Sequence, residues 1–152
     1  MDVYKSPESD VEIESNSDFK PIRAIIYGLL VSIVLVMFVS IIESIVFAIA
    51  LGADLTSEAA VTAALSNSSL YLTVDLVIMA LILFFAGRVV RKYTPRKEIL
   101  FGLVLTFITL GVYILLVISA ETYLKYPIWY NVFSVVVIFS AISYGAKPRK
   151  MT

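Results

Sequence analysis

The chain contains neither cysteine nor histidine in its 152 residues. Without cysteine there is no disulfide framework, no thiol nucleophile and no thiolate metal site, and the redox compartment is not readable. Without histidine the commonest general base and the commonest transition-metal ligand are gone. Charge is scarce as well, at 16% against 60% apolar residues, where a soluble domain is about half apolar and about a quarter charged. No P-loop, G-x-G-x-x-G, H-E-x-x-H or G-x-S-x-G pattern occurs. These absences point to a non-enzymatic protein with no metal and no cofactor. The formal net charge is zero, yet the two signs are strongly segregated along the chain.

Residues 1 to 20 are polar and acidic, with Asp2, Glu8, Asp10, Glu12, Glu14 and Asp18 against Lys5 and Lys20. So little apolar surface cannot offset the entropy of ordering, which predicts a disordered tail. It lacks the basic start of a secretory signal, and the apolar run after it is too long for one. Four apolar runs follow within 21–147, at about 22–51, 70–90, 99–120 and 127–146. Each reaches the roughly 20 residues that a helix needs to cross about 30 Å of hydrocarbon. Lipid offers no partner to an unpaired backbone group, and the alternation required by a barrel is missing. The expected fold is an all-α membrane protein, a four-transmembrane-helix bundle, followed by a basic tail at 148–152.

Charge then sets direction. Lys20 and Arg23 precede the first run, Arg88, Arg91, Lys92, Arg96 and Lys97 crowd the second connection, and Lys147, Arg149 and Lys150 close the chain. The first connection, "GADLTSEAAVTAALSNSS", has no Lys or Arg, and the third has Lys125 alone. Basic residues stay on the cytoplasmic side, so both termini are expected inside a cell inner (plasma) membrane. Tyr27, Tyr93 and Tyr144 then fall at the inner surface, and Tyr71, Tyr123, Tyr126, Trp129 and Tyr130 at the outer one, as aromatic belts. Thr94-Pro95 is expected to open the third helix and Pro127 the fourth. "TSEAAVTAALS", from Thr56, reads as a short helix near the surface, and Asn67-Ser68-Ser69 is a formal glycosylation sequon.

Three carboxylates reach a similar depth below the outer surface: Glu43 late in the first helix, Asp75 early in the second, and Glu121 at the end of the third. Converging, they would form an outward-facing site for a cation or an exchangeable proton, each raising the pKa of the others. The plainer alternative is that each snorkels to water or bonds a neighbouring hydroxyl. Gly28, Ser32, Ser40, Ser44, Ala48 and Gly52 fall on a four-residue repeat, interrupted by Val36, that lets helices approach closely. Its partner is a helix of the same chain or a second copy, and Gly102, Thr106, Ala141 and Gly145 are plausible mates. The basic connection Arg88, Arg91, Lys92, Arg96 and Lys97 fixes topology or binds anionic headgroups; nucleic acid is not expected. "VLVMFVSIIES" and "VYILLVISAET" share a Glu followed by a hydroxyl residue, but the helices after them do not keep a common offset.

The start, "VYKSPESDVE", with Tyr4 and Pro7, resembles the Y-x-x-P tails of many small, uncharacterised multi-pass inner-membrane proteins of proteobacteria. The resemblance covers about ten residues and implies a bacterial inner membrane and no activity. Small multidrug transporters share four helices and a glutamate in the first, but Glu43 lies much nearer the outward end. The expectation is an accessory, scaffold or immunity-type partner of a larger membrane system. The alternative is a small ion- or proton-coupled transporter or channel using Glu43 and Asp75. The lipid bilayer and either a membrane-protein partner or a second copy are the expected contacts.

Overall fold

Pro21 opens the first helix, one residue before the apolar run begins: proline at the first helical position gives up an N–H that would have no partner there. In the computed structural model, which describes residues 19–148, α1 runs from Pro21 to Ala50. It is followed by α2 (Glu58–Asn67), α3 (Ser69–Tyr93), α4 (Glu98–Ser119), the single turn α5 (Thr122–Lys125) and α6 (Ile128–Gly145). The described residues contain no strand, and α1, α3, α4 and α6 are long and apolar enough to cross a membrane. Tyr4, Pro7, most of the acidic tail, Arg149 and Lys150 lie outside the described residues.

Each helix end has a local cause. α1 stops at a Schellman turn: Gly52, at φ +69°, donates to Ile49, and Ala53 donates back to Ala48. Gly52 is therefore a stop signal on the exposed loop, not a member of the packing stripe. Ser57 caps α2, its hydroxyl accepting from the Ala60 N–H, and Ser68 caps α3 by accepting from Tyr71. Thr94 corrects one expectation. It is fully buried and closes α3, donating its hydroxyl to the Val90 carbonyl at 2.8 Å. The chain then turns through Pro95 and Arg96, at φ 71°, and α4 begins at Glu98. Pro127 sits just outside α6, where its carbonyl accepts from Tyr130 and Asn131.

α3 is the most buried of the four long helices and touches all the others. Its inward face, Leu72, Asp75, Met79, Leu83, Ala86 and Val90, follows the three- and four-residue spacing of one helix stripe. Ala24, Leu105, Ile138 and Ile142 complete the core around it. α3 and α6 approach most closely at two glycines. A Cβ on Gly87 would meet the Ile142 carbonyl oxygen and come within 3.0 Å of the Gly145 Cα, and one on Gly145 would meet the Phe84 carbonyl oxygen. Gly145 thus pairs with α3, and Gly102 faces Ala146; neither serves α1.

The stripe on α1 faces the other long helices of its own chain. Gly28 packs under Leu105 and Val90, Ser32 lies 3.3 Å from the Thr109 hydroxyl, and Ser44 bonds Tyr71 at 2.9 Å. A strict four-residue repeat drifts about 40° per step around a 3.6-residue helix. Leu30–Leu35 forms a π-helical segment, whose i→i+5 closure holds more residues per turn and winds back part of that drift. Beyond it α1 leans on α3 and α2, whereas its first part, Pro21–Leu29, also packs on α4.

The second connection and both ends of the described residues, at Lys20 and Lys147, gather at one end of the molecule, the basic end. The Lys20 N–H donates to the Tyr93 carbonyl, and Arg91 Nη1 donates to the Lys147 carbonyl at 3.1 Å. Arg88, Lys92 and Lys97 lie over Phe84, Tyr93 and Phe19.

Replacing Gly87 or Gly145 with leucine forces α3 and α6 apart. An unfolding titration in mixed micelles should show a loss of about 1–3 kcal/mol, the usual cost of overpacking. Gly111, with nothing near its missing Cβ, should tolerate leucine without loss. Equal effects at all three positions would contradict the close contact.

Candidate functional site

α1 ends about seven residues after Glu43, and α3 begins six residues before Asp75. At about 1.5 Å per residue both carboxylates lie roughly 10 Å inside the end opposite the basic one. There they face inward, Glu43 7% and Asp75 5% exposed. Asp75 is fully engaged: its Oδ1 accepts from the Ser40 hydroxyl at 3.2 Å, and its Oδ2 from the Tyr130 hydroxyl. One carboxylate thereby ties α1, α3 and α6. Hydrogen bonds to a charged group contribute about 1.5–3 kcal/mol each.

Glu43 is the opposite case. It lies within electrostatic reach of Asp75 and Tyr71, yet both its carboxyl oxygens are buried with no hydrogen-bond partner among the described residues. An ionised carboxylate so placed costs several kcal/mol unless a proton or a cation accompanies it. Glu121, expected beside them, is exposed instead. α4 ends at Ser119, and Glu121 enters the left-handed region at φ 51° in the turn to α5.

An open cavity of about 530 Å³ adjoins Asp75, whereas Glu43 lies behind its lining. Ser40, Ser44, Tyr71, Asp75, Tyr130 and Asn131 form its polar back, and α1 and α4 supply apolar walls through Ile41, Ile45, Leu116 and Val117. It continues into a narrower pocket of about 70 Å³ that shares Val36, Met79, Tyr113 and Leu116 and ends at Ser32 and Thr109. Farther toward the basic end, Gly28, Val90 and Leu105 are packed together. The chamber is therefore open on one side and closed on the other.

Three tyrosines expected in an aromatic belt turn inward. Tyr71 is 4% exposed, Tyr130 reaches Asp75, and Tyr126 packs on Tyr130 with ring centroids 5.4 Å apart. Burial, and then the Asp75 carboxylate, push the Tyr126 phenol above its ordinary pKa, which keeps it neutral. Tyr113, on α4, lies close to Ser134 of α6, whose hydroxyl donates to the Tyr130 carbonyl at 2.8 Å. A usable signal was present in the sequence, since Tyr71 and Asp75 share a helix face four residues apart. Tyr123 and Trp129 are exposed, as belt residues are. Above the chamber α2 packs through Leu65 on Tyr71 and Leu72, and Glu58 meets Lys125 at 4.0 Å.

Among the described residues no three acidic side chains come together to hold a metal ion. Two carboxylates with hydroxyls and aromatic rings suit a proton or a monovalent cation. No known protein family, curated protein or solved structure matches this chain.

Tyr130→Phe and Ser40→Ala each remove one donor to Asp75. Each should lower stability by about 1–3 kcal/mol in the same micellar titration, whereas Tyr123→Phe should stay within about 0.5 kcal/mol. Unchanged stability in the first two variants would mean that Asp75 is not held as described.

Proposed function

We propose that this chain is a non-enzymatic, multi-pass protein of a bacterial inner membrane, with both termini cytoplasmic. We propose further that its outward-facing chamber binds and moves a small cation or a proton at Glu43 and Asp75. The observation that carries this is the Asp75 carboxylate, buried in the wall of an open chamber, with the unpartnered Glu43 carboxyl within electrostatic reach behind it. Ionisable groups so deep in apolar helices mark ion or proton paths when they face a cavity. The closed, basic end carries Lys20, Arg23, Arg88, Arg91, Lys92, Lys97 and Lys147. At the other end the one basic residue in the sequence, Lys125, is paired with Glu58, in keeping with the positive-inside rule.

An accessory, scaffold or immunity-type role is the second reading. It is favoured by α1, the least buried of the four long helices, which leaves Val34, Phe38, Ile42 and Ile49 to lipid or to a partner helix.

Flux into proteoliposomes separates the two. Cation or proton uptake should fall at least tenfold when Glu43→Gln and Asp75→Asn are combined. Uptake equal to that of protein-free vesicles, for protons and for each monovalent cation, would overturn the transport reading and leave the accessory one. Orientation has its own test in this cysteine-free chain. With Ala63→Cys an impermeant thiol reagent should label intact cells, and with Lys97→Cys it should label only after lysis; the reverse pattern would overturn the topology.

A further inference from the structure

The chamber is far larger than a proton needs. One water occupies about 30 Å³ in the liquid, against about 530 Å³ here. Its shape is also uneven in chemistry. The back is polar and acidic, whereas the walls carry Ile41, Ile45 and Leu116, each at least half exposed on the outside of the molecule. α1 packs on α4 chiefly through its first part and meets it again where Ser32 reaches Thr109 in the π-helical segment, whereas its far part leans mainly on α3 and α2. The mouth between α1 and α4 lies alongside the apolar parts of two helices long enough to cross a membrane, so it faces acyl chains as well as water. Inward, the chamber narrows into the apolar pocket beneath Val36 and Met79.

We infer that the chamber takes an amphiphilic monocation, an alkylammonium-type molecule, which arrives from the bilayer between α1 and α4. The inference rests on the cation-binding reading and adds the ligand class. The ammonium head sits at the back beside Asp75, where aromatic rings from Tyr71 and Tyr130 line the wall. The unpartnered Glu43 carboxyl adds its field from behind the lining. The alkyl chain extends into the apolar pocket. Charge complementarity favours this occupant. An anionic amphiphile would face the Asp75 carboxylate with Glu43 close behind it, and the basic residue at this end, Lys125, is engaged with Glu58. A strongly hydrated inorganic ion would give up its water to walls that are largely Ile, Leu and Val.

The test is calorimetric titration of the full chain in phosphatidylcholine nanodiscs, with empty nanodiscs subtracted, using ammonium, butylammonium, octylammonium and octanol. Octylammonium should bind saturably at one per chain, at least tenfold more tightly than ammonium or octanol. Glu43→Gln and Asp75→Asn should each weaken it at least tenfold. Leu116→Trp, at the exposed rim and so tolerated by the fold, should remove most of the advantage of octylammonium over butylammonium; an intact advantage would overturn the path assigned to the chain. Ammonium binding as tightly as octylammonium, with both lost in Asp75→Asn, would overturn the amphiphile and leave the cation reading standing. Octanol matching octylammonium would overturn recognition of the charge. Octylammonium binding undiminished in both carboxylate variants would overturn the inference and the cation reading together.

Discussion

A carboxylate kept from water must find its hydrogen bonds in the protein, and Asp75 finds them on two other helices. Ser40 reaches it from α1 and Tyr130 from α6. Acyl chains neither donate nor accept, so between helices apolar enough to cross a membrane such partners come from the protein or from water in the chamber. The three-way tie holds the far half of α1 to the rest of the molecule, where small-residue packing has given way to a cavity. The polar site is thus both a structural joint and the place where chemistry can occur.

The two halves of the molecule are built differently for that reason. Toward the basic end α3 and α6 meet through Gly87 and Gly145, and Gly28 lies under Leu105 and Val90. Contacts there are backbone-close and leave no room for a solute. Toward the other end side chains are long, aromatic and hydroxylated, and they stand apart. The π-helical segment at Leu30–Leu35 marks the change on α1. It re-aims the residues beyond it, so that Ser40 and Ser44 face Asp75 and Tyr71.

Much of the architecture was legible as sequence. Four apolar runs of about 20 residues or more announce four long helices, because hydropathy and length are additive properties that need no tertiary information. Glu43 and Asp75 were legible as charges set into such runs. The inward turn of Tyr71, Tyr126 and Tyr130 was not, since a tyrosine near a helix end fits an interfacial belt and a buried hydroxyl network equally well. Its choice depends on partners from distant segments, such as Ser44 for Tyr71, 27 residues away. Thr94 misled for a related reason. A Thr-Pro pair can open a helix or close the one before it, and burial of the Thr94 hydroxyl against Val90 decides for closure. The π-helical segment left no mark in composition, because it depends on where Ser32 and Ser40 must both point. Glu121 shares the depth of the other acids but sits past the helix end, where one left-handed residue turns it outward.

The central claim is that Asp75 joins α1, α3 and α6. Magic-angle-spinning solid-state NMR of the labelled protein in bilayers addresses it directly. The account predicts through-space cross-peaks from the Asp75 carboxyl carbon to Tyr130 Cζ and to Ser40 Cβ in the same sample. Cross-peaks from Asp75 to lipid headgroups or bulk water, with neither of those partners, would contradict it.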